Sequence, residues 1–202
     1  MTMPPVDTKA ELALLARMKQ GDESAFVALY RKHRDAVYRF ALLYAGSPAI
    51  AADVTQDTFV HLMTQHRQFD PTRGSIGAWL CGVARNMARK QCGVREDATD
   101  PAELQDDARA HDSQVDHQSP LDRLLRGELA EHVRRAVAGI APHYRDVLIL
   151  CEVADLSYAE AAQVCGIDIG TVRSRLSRAR TQLAQRLASY APSARGMKEV
   201  QS

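Results

Sequence analysis

D-I-G-T-V-R-S-R-L-S-R-A-R, residues Asp168 to Arg180, sets one apolar helical stripe against a face dense in arginine. At 100° per residue, Val172, Leu176, Ala179, Leu183 and Leu187 fall within about 80° of one another, which predicts a helix that packs one side against protein. The opposite side carries Arg173, Ser174, Ser177, Arg178 and Thr181, whose hydroxyls and guanidinium groups can donate to phosphates and to base edges in a major groove. Arg175 and Arg180 flank the stripe and are expected to pair with acids or lie along the backbone. Just upstream, Ser157 and Glu160 form a capping-box pair for a short helix, Ser157 to Val164, and Gly166 supplies a turn residue that tolerates positive φ. Asp168 can then cap the second helix. Two helices across a tight turn make a helix-turn-helix, and its second helix reads bases with its N-terminal turns, so Arg173, Ser177 and Arg178 are the expected readers.

Charge along the 202 residues supports a nucleic-acid partner only when taken by segment. The net charge is +1. Residues 10–92 hold eleven Lys and Arg against seven Asp and Glu, residues 93–120 hold two against eight, and residues 121–190 hold ten against eight. Two basic blocks flank an acidic middle. The middle has few large apolar residues and two prolines, Pro101 and Pro120, so it is expected to be a flexible linker that cannot bury a core.

Several function classes drop out. No apolar core follows a basic N-terminus, and the longest aliphatic run, Val147 to Cys151, is too short to span a bilayer, so the expectation is a cytoplasmic protein with no membrane insertion. The four cysteines, Cys81, Cys92, Cys151 and Cys165, lack C-x-x-C spacing and read as free thiols acting as small buried apolar residues. The seven histidines make no H-E-x-x-H and no zinc-spaced group, and no nucleophile elbow, phosphate-cradling glycine loop or paired-carboxylate site is present. The chain is expected to be neither an enzyme nor a holder of a metal or cofactor.

The remaining pattern is helical throughout. Leu12, Leu15 and Met18 run up to a turn at Gly21-Asp22. A long helix through Phe26, Leu29, Tyr30, Val37, Phe40, Ala41 and Tyr44 then ends at Gly46-Ser47-Pro48. From Ala49 to His66 the apolar positions Val54, Phe59, Leu62 and Met63 alternate with Asp53, Gln56 and Asp57. Phe69 to Gly74 reads as a loop. Ser75 caps a helix to Gln91 that carries Trp79 as a core residue and ends in Arg85, Arg89 and Lys90. The second half starts near Leu121 with Leu124, Leu125, Leu129, Val133 and Val137 on one helix, and Pro142 sits as the first residue of the next, Pro142 to Val153. The fold class is all-α: two small helical domains, 10–92 and 121–190, joined by the acidic segment 93–120 and followed by a short tail, 191–202.

Four motifs in order carry a family resemblance: Gly21-Asp22 followed by Ala25-Phe26 and Leu29-Tyr30, D-V-T-Q-D-T-F at 53–59, A-W-L-C-G-V-A-R-N at 78–86, and G-T-V-R-S-R-L-S-R-A-R at 170–180. Together they resemble the extracytoplasmic-function sigma factors of the sigma-70 family, over roughly Leu12 to Leu187. The resemblance implies a protein that binds core RNA polymerase, on the β′ clamp helices and β, and directs it to promoter DNA. It is implied to serve a stress or envelope-signal regulon and to be held inactive by an anti-sigma factor. By resemblance, Asp53, Gln56, Asp57 and Phe59 dock on the polymerase. Phe69, Arg73, Ser75, Arg85, Asn86 and Arg89 serve the −10 element, and Gly170, Thr171, Arg173, Ser174, Ser177 and Arg178 serve the −35 element. Asn86 brings an amide that both donates to and accepts from a base edge. Two residues depart from the family pattern: Asp168 stands where many members have proline, and Ser177 where some have a bulky apolar residue.

The acidic linker carries a further expectation, that Asp106, Asp107, Asp112 and Asp116 imitate RNA phosphates in a basic channel. The competing function is an autonomous helix-turn-helix regulator that binds duplex operators by itself. It would leave the D-V-T-Q-D-T-F helix and the Phe69 to Ile76 loop without a task, and no dimerisation heptad supports it.

Overall fold

In the computed structural model, which describes residues 8–94 and 127–188, every regular element is helical. The first half contains α1 (Thr8–Lys19), α2 (Glu23–Ala45), α3 (Pro48–Gln65), a single 3₁₀ turn (His66–Gln68) and α4 (Ile76–Gln91). The second contains α5 (Glu128–Ala138), α6 (Pro142–Glu152), α7 (Tyr158–Cys165) and α8 (Ile169–Ala188). The expected all-α class with two helical units is what the chain forms.

Local chemistry sets most of the boundaries. Asp22 caps α2 by accepting from the amides of Ser24 and Ala25, and those bonds, with Arg17 beside them, hold its carboxyl near 2. Gly46, at φ 69°, ends α2 in the left-handed conformation that glycine adopts without a Cβ penalty. Ser47 at once caps α3, with Pro48 in its first turn. Ser75 caps α4 by accepting from the Ala78 amide at 3.2 Å. At the far end of α4, the amides of Gly93 and Val94 donate back to Lys90 and Arg89, so these two residues finish the helix rather than begin the acidic segment. The rest of that segment, 95–120, lies outside the described residues with its four named aspartates. So do Leu121, Leu124, Leu125 and the tail.

Packing follows the predicted stripes. α2 is the spine of the first half, with α1, α3 and α4 laid against it and Leu29, Val37, Phe40, Ala41 and Tyr44 buried. Thr55 and Thr58 on α3 are also buried, and each hydroxyl donates to the carbonyl four residues back at 2.7 Å. In the second half α8 packs across α5, α6 and α7 through Val172, Leu176 and Ala179. Leu183 and Leu187 continue that stripe but are only half-buried. Met63 is a larger departure: expected to pack with Val54, Phe59 and Leu62, it is 55 % exposed while the other three are buried.

The two halves also touch. α2 meets α5 and α6, and α4 meets α7, so the buried side chains form one continuous cluster.

Candidate polymerase and DNA interfaces

The recognition element forms as its sequence pattern requires. Ser157 accepts from the Glu160 amide at 3.2 Å while the Glu160 carboxylate accepts from the Ser157 amide at 3.1 Å, closing the capping box on α7. Gly166, at φ 68°, turns the chain, and the Asp168 carbonyl accepts the Val172 amide at the start of α8. With Val172, Leu176 and Ala179 inward, Gly170, Arg173, Ser174, Ser177 and Arg178 are exposed and Thr171 is half-buried. The Ser174 hydroxyl donates to the Thr171 carbonyl at 3.0 Å, which leaves its oxygen free to accept from a ligand. Arg180 pairs with Glu152, as expected of an arginine beside the apolar stripe. Arg178 Nη1 donates to the Tyr144 hydroxyl at 3.2 Å. Nothing local in the sequence signals that contact, since Tyr144 is 34 residues away on α6.

A second face runs along α3. Asp53, Gln56, Asp57, Val60 and Met63 are all exposed and lie within about 120° on the helical wheel. Phe59 turns inward instead, its ring 4.8 Å from that of Tyr30 in an edge-on arrangement, so it shapes this face from beneath. Val60 and Met63 make the face part apolar and part acidic. The 56, 60, 63 spacing was available in the sequence, but Met63 read as core.

The third face is the loop before α4 and α4 itself. The Asp70 carboxylate accepts from the amide and hydroxyl of Thr72, at 2.9 and 2.7 Å, and these bonds lower its pKa. Arg73 and Asn86 are exposed. Phe69 is buried, edge-on to Trp79 at 6.0 Å, and Trp79 is itself half-buried between Phe69 and His61. Ser75, Arg85 and Arg89 behave differently from the other expected contacts. Ser75 donates to Glu160 at 2.6 Å, and Arg85 Nε and Arg89 Nη1 both donate to Asp146 Oδ2, at 2.8 and 2.9 Å. The structure therefore brings Arg73 and Asn86 to solvent and directs the other three polar contacts at the second half of the chain.

Desolvation disfavours the thiolate at all four cysteines. Burial pushes the Cys81 and Cys165 thiols up to about 12 and Cys151 up to about 11. Against the expectation of four buried thiols, Cys81 alone is fully buried, Cys151 and Cys165 are half-buried and Cys92 is exposed, though desolvation still raises the Cys92 thiol. Among the described residues no helix is long and apolar enough to cross a membrane.

The profile of Sigma-70 region 2 matches residues 29–94, and that of Sigma-70 region 4 matches residues 130–183. The ECF RNA polymerase sigma factor SigC of Mycobacterium tuberculosis is 31 % identical over 185 residues, covering 91 % of this chain and 94 % of that protein. SigE of Mycolicibacterium smegmatis is 32 % identical over 180 residues, and the match spans 84 % of this chain but 65 % of SigE. Among solved structures, CnrH in complex with the cytosolic domain of CnrY superposes with a TM-score of 0.67 at 26 % identity, over 89 % of this chain and 98 % of that one. The sigma factor RpoE of Bartonella quintana, in complex with the anti-sigma factor NepR, has a TM-score of 0.59 at 24 % identity and covers 81 % of this chain and 96 % of its own.

Proposed function

Because the chain belongs to the extracytoplasmic-function RNA polymerase sigma factors of the sigma-70 family, we propose that it binds core RNA polymerase and directs promoter-specific initiation. The observation that carries this reading is the pairing, in one chain, of a region 2 match with a region 4 match whose recognition helix presents an open arginine face.

Each face then takes a role. The α3 face of Asp53, Gln56 and Asp57, with Phe59 supporting it from below, docks on the β′ clamp helices; its carboxylates suit a basic partner, and Val60 and Met63 supply apolar surface to bury on binding. The loop and α4 serve the −10 element, where a base must leave the stack to be read. There Asn86 offers an amide to a base edge, Arg73, Ser75, Arg85 and Arg89 supply phosphate contacts, and Phe69 braces the loop. Gly170, Thr171, Arg173, Ser174, Ser177 and Arg178 take the −35 element in the major groove. The corresponding units are 10–92 and 121–190, joined by 93–120 and followed by the tail 191–202.

The protein has no catalytic activity of its own, works in the cytoplasm, and answers to an anti-sigma factor that covers these faces. CnrH, solved with a bound cytosolic domain, gives that last point its support. An autonomous duplex-binding regulator is not favoured, because the region 2 match occupies the very segment such a protein would leave without a task.

Run-off transcription tests the whole reading. The purified protein and core polymerase are incubated with fragmented genomic DNA from its source, and the transcripts are sequenced. Specific starts that share −35 and −10 elements are the expected result. Duplex binding by the protein alone, with no polymerase binding and no transcripts, would overturn it.

A further inference from the structure

α6 packs against α8, and each of its ends holds one arginine of that helix. At its last residue Glu152 pairs with Arg180. In its first turn the Tyr144 hydroxyl accepts from Arg178 Nη1 at 3.2 Å. Arg178 and Arg180 stand about 160° apart on the helical wheel, so the two ends of α6 emerge on opposite sides of α8.

The two grips differ in kind. The Glu152 carboxylate offsets the charge of Arg180, whereas the Tyr144 hydroxyl is a neutral acceptor and leaves Arg178 its positive charge. One bond to Nη1 takes one of the five N–H donors of a guanidinium, and a bidentate grip on guanine O6 and N7 needs two. Tyr144 is also firmly carried. Pro142 fixes the backbone at the start of α6, the Tyr144 amide donates to the Ala141 carbonyl at 2.9 Å, and the ring packs on the core 4.0 Å from that of His143. Behind it Val147, Leu148, Ile149 and Leu150 bury the rest of the helix.

We propose that Tyr144 is a positioning residue for −35 specificity, whose hydroxyl holds Arg178 in the orientation that grips a guanine edge. The inference rests on the assignment of α8 to the −35 element. An exposed arginine has many rotamers, and binding must freeze one of them. A guanidinium held in advance loses less on binding. The gain falls on discrimination more than on affinity. A phosphate oxygen accepts from many directions and a mobile arginine finds one readily, whereas the paired acceptors of guanine demand one plane and one angle. A carboxylate at the same place would orient Arg178 equally well and cancel the charge that draws it to DNA. A hydroxyl orients without neutralising.

The test uses holoenzyme reconstituted from the full chain and core polymerase, presented with a pool of duplex DNA that carries a randomised stretch. Bound molecules are sequenced to give the base preference at each position. Wild type is compared with Tyr144→Phe, Arg178→Ala and the double variant, and circular dichroism confirms that each is helical. Arg178→Ala is expected to flatten a guanine preference within the −35 element. Tyr144→Phe, which keeps the ring and loses only the hydroxyl, should reduce the same preference about three- to tenfold, the size of one lost hydrogen bond. Preferences elsewhere in the −35 and −10 elements should stay as in wild type. The double variant should match Arg178→Ala, because a residue that acts through another has no effect once that other is gone. Full guanine preference in Tyr144→Phe, with a flattened one in Arg178→Ala, would overturn the positioning and leave the −35 reading standing. An unchanged preference in Arg178→Ala would place the fault in the assignment of Arg178 and overturn the positioning with it. A double variant weaker than Arg178→Ala, or a uniform loss over all sequences in Tyr144→Phe, would mean that the hydroxyl touches DNA or supports the fold directly, and would also overturn it.

Discussion

α8 and α4 both carry arginines for nucleic acid, and they hold them in opposite ways. On α8, Arg173 and Arg178 project to solvent from a helix whose other side is buried, and Arg178 is steadied by a neighbour within the same half. On α4, Arg85 and Arg89 are 12 and 13 % exposed and point at a carboxylate 61 and 57 residues away. Periodicity alone decides which side of α8 faces out. On α4 the same basic pattern leads to burial, because a distant acid reaches it. Whether an arginine is available to DNA is therefore a property of the whole fold as much as of its helix.

The largest effect that would break this comparison is the loss of the scaffold under α8. Leu176 is 1 % exposed at the junction of α8 with the helices beneath it. Leu176→Ala should destabilise the protein by about 2–5 kcal/mol, as removal of a buried leucine does. Urea unfolding followed by circular dichroism checks it, and a midpoint equal to wild type would mean that α8 is not packed as described. Next comes the pair Arg173→Ala and Arg85→Ala. Arg173→Ala should cost about 1–3 kcal/mol of −35 discrimination if the guanidinium is bidentate to a guanine, and should leave the radius of gyration of the free protein unchanged. Arg85→Ala should weaken −10 strand contacts in the holoenzyme and also loosen the free chain. Filter binding on promoters altered in one element at a time, with scattering on the free proteins, separates the two. Equal behaviour of the two variants in both assays would erase the distinction between the helices.

Ser157→Ala gives a smaller effect that sharpens the contrast. Glu160 serves both the α7 capping box and the Ser75 contact on α4. Losing the cap should cost about 1 kcal/mol of stability, read from a urea melt. Because Glu160 loses one of its anchors, Ser157→Ala should also move the scattering curve toward that of a looser chain. A stability loss with an unchanged curve would mean that the cap and the interdomain contact are independent.

The sequence carried the local half of this picture and little of the remote half. The caps at Ser75 and Ser157 could be read because a short polar side chain before an apolar run has one strong way to satisfy the first amides of a helix, whereas Asp22 and Ser47 read only as turn residues and prove to be caps as well. The inward stripe of α8 could be read because three residues at helical spacing must share a side. Met63 misled for a related reason: its spacing puts it beside Gln56 and Val60 on the outer face, yet its apolar character invites a core assignment. Phe59 was read correctly as buried even though its neighbours point outward. The contact with Asp146 had no local signature. An aspartate between Arg145 and Val147 reads as a surface residue of an amphipathic helix, and only the tertiary fold shows it buried against two arginines.

His33 offers the smallest effect and concerns the start of α4 rather than its end. Its Nε2 lies 2.9 Å from Glu11 Oε1, which also meets Lys32 Nζ at 3.0 Å, and its ring stands against Gly77 in the first turn of α4. Burial lowers its pKa below the usual 6.5, although Glu11 pulls the other way. The positive end of the α4 dipole beside it also disfavours a protonated ring. In the unfolded chain this histidine takes its proton at about pH 6.5, while the folded protein resists until the pH is lower. The unfolded state therefore binds more protons across that window, and stability falls as the pH drops through it. The loss is bounded by about 1.4 kcal/mol per pH unit for one proton and levels off below the folded pKa. Urea melts from pH 7.5 to 5.5 should show the decline, and His33→Gln, which cannot titrate, should flatten it without opening the chain to scattering. If the variant falls as steeply as wild type, the acid sensitivity belongs to another histidine, and the Glu11, Lys32 and His33 cluster fastens α1 to α2 independently of pH.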